Sequence, residues 1–269
     1  HENKVSGFNQ GHIEETEQGR MLNSLIGDIQ SENCMGALIF SWADEWFKTT
    51  WNTMDLDIAD RRAYWMDYQT NEQNFGLLSF DPGEKQSAAY VDGDISEWKE
   101  SDLVIKNGYY WLYAKSDEKF LYLRADVYGF DRETVYIPID TIPGQGNGSY
   151  NGVSFSSDAD FMIVLSGRDN STMLIDPYYD PTYYQYAVKG SQLERNPGSE
   201  KTGTGKFTSI TQVLSRELLL PETGKTVPFR TIDTGVLKYG IANPYKKGYD
   251  SLADICEKDG HVEIRIPWL

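Results

Sequence analysis

The chain has 269 residues, of which 39% are hydrophobic, and a net charge of −16 at pH 7. That length serves one large domain or two small ones. No apolar run approaches the roughly 18 residues of a membrane-spanning helix, and an acidic surface repels phosphate, so neither a membrane nor a nucleic acid is an expected partner.

The first 85 residues hold 6 Lys/Arg against 15 Asp/Glu, a balance of −9, and the rest hold 19 against 26, a balance of −7. The acidity is spread over both parts, and it does not repel neutral sugars. The 18 Tyr and 7 Trp present flat apolar faces with a polar handle, which suits sugar stacking. The same residues are also good strand formers. Cys34 and Cys256 are too few for a disulfide scaffold. Neither lies near other metal ligands at zinc spacing. The chain opens on His1 with no start or secretory signal, which reads as a segment of a longer protein.

Residues 1–12 are polar. Ile13, Met21, Leu22, Leu25, Ile26 and Ile29 then fall on one helical stripe, with Glu14, Glu15 and Glu17 near the positive end of the helix dipole. The helix should end near residues 30–33. Residues 36–42 form a short, nearly continuous apolar run, the pattern of a strand buried on both faces. Ser41-Trp42-Ala43-Asp44-Glu45-Trp46 follows, in the place where an α/β fold gathers ligand-binding groups. Trp42 and Trp46 are candidates for stacking on a sugar ring, and Asp44 and Glu45 for bonding its hydroxyls. A Trp-rich packing loop with exposed acids explains them equally well. Asp55, Asp57 and Asp60 have a calcium-like spacing but lack the turn glycine and the closing glutamate, so a solvated loop is favoured. Asp81-Pro82-Gly83 marks a module boundary, which divides the chain into residues 1–85 and 86–269.

Strand patterns dominate the second part. Residues 109–115 and 119–128 flank a turn, and Leu121, Leu123, Ala125 and Val127 alternate with Tyr122, Arg124, Asp126 and Tyr128, giving one core face and one polar face. Further strands are expected at 134–141, 161–166, 172–176, 183–188, 213–220, 227–232, 236–241 and 262–266. Residues 144–152 and 189–206 read as loops. Short strands at close spacing argue for an antiparallel sandwich. Tyr109 and Trp111 are sugar-binding candidates by residue type. Trp98 is expected in the core, and His1, His12 and His261 at the surface. No Gly-rich phosphate loop and no Gly-x-Ser-x-Gly elbow occurs.

Val91-Asp92-Gly93-Asp94-Ile95-Ser96-Glu97-Trp98 resembles the start of the family 9 carbohydrate-binding and related DOMON-like β-sandwiches. Asp117-Glu118-Lys119-Phe120-Leu121-Tyr122-Leu123 resembles their next landmark, and residues 262–268 their final strand. Gln18-Gly19-Arg20, the block at 36–51 and Gln69-Thr70-Asn71-Glu72-Gln73-Asn74-Phe75-Gly76 resemble the end of a glycoside-hydrolase-type (β/α)8 barrel. The resemblance implies a mainly β fold: an antiparallel, carbohydrate-binding-module-like sandwich preceded by a small α/β remnant of a TIM-type barrel. It implies a carbohydrate-associated module, with an oligosaccharide or polysaccharide as partner and an extracellular or cell-surface location. Such sandwiches often hold calcium, for which Asp92 and Asp94 are the candidates, although turn formation explains both. No other cofactor is expected. The carboxylate pair of a retaining glycosidase is missing, so no catalytic residue is assigned and any glycosidase activity belongs to a full-length parent. A structural or interaction sandwich without sugar binding is the remaining reading. Residues 1–80 should pack against the sandwich or against another copy of the chain.

Overall fold

The computed structural model describes residues 15–43, 75–78, 87–117, 120–250 and 252–267. The expected helix is present as α1 (Glu15–Ser31). It ends as its sequence dictates. Asn33 takes the left-handed conformation at φ 53°, Cys34 N–H donates to the Ile29 carbonyl and Asn33 N–H to that of Gln30. These two bonds close the last turn in a Schellman motif. On its apolar stripe Met21, Leu25 and Ile26 remain exposed.

The run at 36–42 is not the buried strand its composition suggests. Leu38, Phe40 and Trp42 are exposed. The backbone makes a single parallel bridge, Ser41 to Gly76, with Leu77 N–H donating to the Ser41 and Trp42 carbonyls. A strand buried on both faces needs neighbours on both sides. Among the described contacts here are this bridge, an edge-on ring pair between Phe40 and Phe75 and a bond from Gln18 Nε2 to the Gly76 carbonyl. Asp55, Asp57 and Asp60 lie outside the described residues.

The second part is mainly β, with antiparallel sheets. Its strands are β1 (Leu103–Asn107), β2 (Tyr110–Ser116), β3 (Phe120–Asp126), β4 (Val135–Ile139), β5 (Asn147–Tyr150), β6 (Val153–Ala159), β7 (Phe161–Leu165) and β8 (Thr172–Ile175). They continue as β9 (Thr208–Ser209), β10 (Thr211–Ser215), β11 (Leu218–Leu220), β12 (Lys225–Val227), β13 (Arg230–Asp233), β14 (Ile255–Lys258) and β15 (His261–Pro267). One sheet runs β1-β2-β3-β15-β14 and a second runs β4-β7-β8-β9, with β5-β6, β10-β13 and β11-β12 as separate ribbons.

The two larger sheets share one core. Leu123 and Ala125 of β3, Val262, Ile264 and Ile266 of β15 and Ile255 of β14 meet Ile137 of β4 and Ile163 and Leu165 of β7. Every second residue of β3 and β15 points inward, which is the period of two read as packing. Full burial of such a side chain contributes roughly 1.5–3 kcal/mol. On the second sheet Asp160 fastens the loop after β4, its Oδ2 accepting from Thr141 N–H, Thr141 Oγ1 and Ile142 N–H.

Five expectations need correction. The polar face of β3 is not solvated throughout, because Tyr122 and Arg124 are buried there. Residues 183–188 are not a strand but part of a π-helical stretch, Tyr183–Lys189. Asp180 accepts from Thr182 N–H at 2.9 Å and Pro181 follows it, so cap and proline start a helix that Tyr and Val do not prevent. Residues 236–241 supply only isolated bridges. Residues 144–152, expected as loop, contribute β5. The stretches at 213–220 and 227–232 each break in two, the first at Arg216-Glu217 and the second at Pro228-Phe229, where the proline cannot donate within a ladder.

Candidate functional site

The outer face of the five-stranded sheet is built from the second residue of each inward–outward pair. Register places Leu103, Tyr113, Arg124, Glu263 and Cys256 in one transverse row. The adjacent row, nearer the β1–β2 and β14–β15 turns, is Lys106, Trp111, Asp126, His261 and Lys258. The two rows have different fates.

The octapeptide covers the first. Asp92 and Gly93 N–H donate to Glu263 Oε2 at 3.0 and 2.7 Å, and Trp98 Nε1–H donates to Glu263 Oε1 at 2.9 Å. Trp98 is buried against Ala89, Tyr113 and Tyr122, as expected of a core anchor. Gly93 sits at φ +78°, a conformation that favours glycine, and a Cβ there would lie 3.0 Å from the Lys258 Cβ, so the strap crosses β14 at close range. Burial pushes the Glu263 carboxyl up to about 7, against the pull of the N–H groups of Asp92, Trp98 and Gly93.

Asp92 and Asp94 do come together, around an ammonium group. Lys246 Nζ lies 2.9 Å from Asp92 Oδ1 and 3.4 Å from Asp94 Oδ2. Asn243 Nδ2 donates to Asp92 Oδ2 at 2.5 Å, and Asp94 N–H to Asp92 Oδ1 at 2.8 Å. The Asp92 oxygens are thereby shared among Lys246, Asn243 and the turn's own backbone. Among the described residues no group of three or more His, Cys, Asp and Glu side chains is placed to hold a metal ion. Both cysteines are free, Cys34 exposed and Cys256 buried, and burial pushes the Cys256 thiol up to about 11.

The second row is open. Trp111 is 37% exposed, with Lys106 Nζ 4.3 Å from its ring centre. Arg124 reaches into this row from the first. Its Nε and Nη2 grip Asp126 Oδ1 and Oδ2 at 2.8 and 2.7 Å, and its guanidinium lies 4.3 Å from the Tyr113 ring centre. His261 Nδ1 lies 2.7 Å from Asp126 Oδ1. A carboxylate only accepts, so Nδ1 carries the proton and Nε2 is the ring's remaining polar atom. The His261 side chain is 30% exposed. Tyr109, 77% exposed in the β1–β2 turn, and Tyr128, 77% exposed two residues past Asp126, stand at the same end of the sheet.

Of the residues singled out from sequence, Tyr109 and Trp111 thus lie at the same end of the sheet. Trp42 is exposed in the amino-terminal segment, its carbonyl taken by Leu77 and Leu78 N–H. Asp44, Glu45 and Trp46 lie outside the described residues. Lys106, Arg124, Asp126, His261 and Lys258 were not anticipated. The alternation in β3 already put Arg124 and Asp126 on one face, but only the pairing of β3 with β15 brings His261 to them. Compared with protein families, curated proteins and solved structures, the chain matches none.

Proposed function

We propose that the second part of this chain is a non-catalytic carbohydrate-associated β-sandwich that binds an oligosaccharide on the outer face of its five-stranded sheet. The observation that carries this reading is the open row Lys106-Trp111-Asp126-His261-Lys258, braced by Arg124. Lys106 Nζ lies over the Trp111 ring at 4.3 Å, and the part of the indole it leaves exposed offers an apolar surface to a sugar ring. Arg124 and Asp126 hold His261 in a fixed position, so its remaining Nε2 is preorganised toward hydroxyls and little side-chain entropy is lost on binding. The row crosses five strands spaced ~4.8 Å apart, a span of about 19 Å, which suits a chain of sugars better than one ring. The resemblance of the octapeptide to family 9 carbohydrate-binding and DOMON-like sandwiches supports the same reading. So does the strap geometry, in which that motif fastens the module rather than lining the site.

Binding is favoured over cleavage. Glycoside hydrolysis takes two free carboxyl groups about 5–10 Å apart. On this face Asp126 is engaged by Arg124 and His261, and Glu263 holds the strap from beneath it. We read the amino-terminal part as the end of a (β/α)8 barrel. The parallel Ser41–Gly76 bridge supports that, and glycosidase activity would then belong to a full-length parent.

Calorimetric titration of the chain against oligosaccharides tests the binding claim. Trp111→Ala should weaken binding at least about tenfold, with circular dichroism verifying that the variant keeps its fold. Absence of binding to every glycan in a broad panel contradicts the reading. An interaction role is the second reading, favoured by the exposed Val104 and Ile105 on edge strand β1 and by the open stripe of α1. It expects concentration-dependent dimers in sedimentation equilibrium, and a monomer at all concentrations counts against it.

A further inference from the structure

We infer that the open row selects an anionic sugar chain, an oligosaccharide of uronic acids; the inference rests on the carbohydrate reading above and names its ligand class. The molecule carries a net charge of −16, yet this row runs the other way. Its one carboxylate, Asp126, is neutralised by a two-pronged bond from Arg124 and capped by His261. Lys106 and Lys258 are exposed, and neither has an ion-pair partner among the described residues. The acid beside Lys258 in β14, Glu257, belongs to the opposite face, where Arg168 reaches it at 4.0 Å.

The two lysines stand on the sheet's two edge strands, β1 and β14, about 19 Å apart by strand spacing. Between them lies Trp111, beneath the Lys106 ammonium at 4.3 Å. A cation held over an indole is positioned without being neutralised. A ligand that stacks on Trp111 and meets both ammonium groups must carry carboxylates at more than one point along its length. A single sugar acid reaches one of them, and a neutral chain uses neither. In an otherwise acidic molecule the row also raises the local concentration of a polyanion at the one place where it binds.

The experiment compares uronate oligomers (galacturonate, mannuronate and glucuronate-bearing) with their carboxyl-reduced counterparts, which keep the ring scaffold and lose the charge. Titrations use the full chain at 0.15 M salt. At least one uronate oligomer should bind about tenfold more tightly than its reduced form. Lys106→Met/Lys258→Met should bring the two to equality, and Trp111→Ala should weaken both. Both lysines are exposed, so the double variant keeps its fold, which circular dichroism verifies. Equal affinity for charged and reduced oligomers overturns the anionic assignment and leaves the carbohydrate reading standing. If no uronate, reduced or neutral oligomer binds, the carbohydrate reading falls and this inference falls with it.

Discussion

Glu263 shows how one buried group can hold a surface in place. Its carboxyl accepts from two backbone N–H groups and one indole, yet burial leaves its pKa at about 7 against an ordinary 4.5. The folded state therefore holds this proton more tightly than the unfolded chain does. The stability it contributes is fully present below pH 4.5 and is lost as pH rises through about 7. A shift of this size corresponds to about 3 kcal/mol. Other carboxylates act in the opposite sense: the backbone N–H of Ser96 holds Asp94 below its usual range, so the comparison must be with a variant. Denaturant unfolding of Glu263→Gln and the parent between pH 4.5 and 8 should show the variant gaining by a few kcal/mol at the high end. A pH-independent difference contradicts the assignment. The cysteines give a second check. A thiol reagent should modify Cys34 alone in the native chain and reach the buried Cys256 only after unfolding, and rapid native labelling of both thiols would mean that the β14 region is open.

The element that decides the site is the strap at residues 91–98, which covers the row of Tyr113, Arg124 and Glu263 and leaves the row of Trp111 and His261 open. Gly93→Ala tests it. A Cβ at φ +78° and 3.0 Å from the Lys258 Cβ should cost about 1–3 kcal/mol in unfolding free energy, whereas an unchanged midpoint would mean that the strap is not held against β14. Strands with a clean period of two were legible: β3 and β15 alternate, and both were found within a residue or two. The π-helical stretch was not, because Tyr183, Tyr184, Tyr186 and Val188 score as strand formers while the start signal lies in Asp180 and Pro181. The run at 36–42 misled for the same reason. Its apolar residues state a need for burial but not who supplies it. At the site, Tyr109 and Trp111 could be named by type alone. The Asp126–His261 contact could not, since it joins residues 135 positions apart and exists only once β3 and β15 pair.

At the scale of the molecule the charge distribution and the sheet arrangement lead to the same surface. The shared core of the two large sheets makes a platform, and its outer face offers an aromatic ring, a histidine held by the Arg124–Asp126 pair and two lysines with no ion-pair partner among the described residues. The central claim is that this face takes a sugar chain, and tryptophan indole N–H signals in a nitrogen-15 correlation spectrum report on it most directly. On titration with the tightest-binding oligosaccharide, the Trp111 indole should shift in a saturable way together with the His261 ring, while the Trp98 indole, locked to Glu263, stays where it is. Binding that leaves the Trp111 signal unmoved, or that moves only Trp42 in the amino-terminal segment, would contradict it.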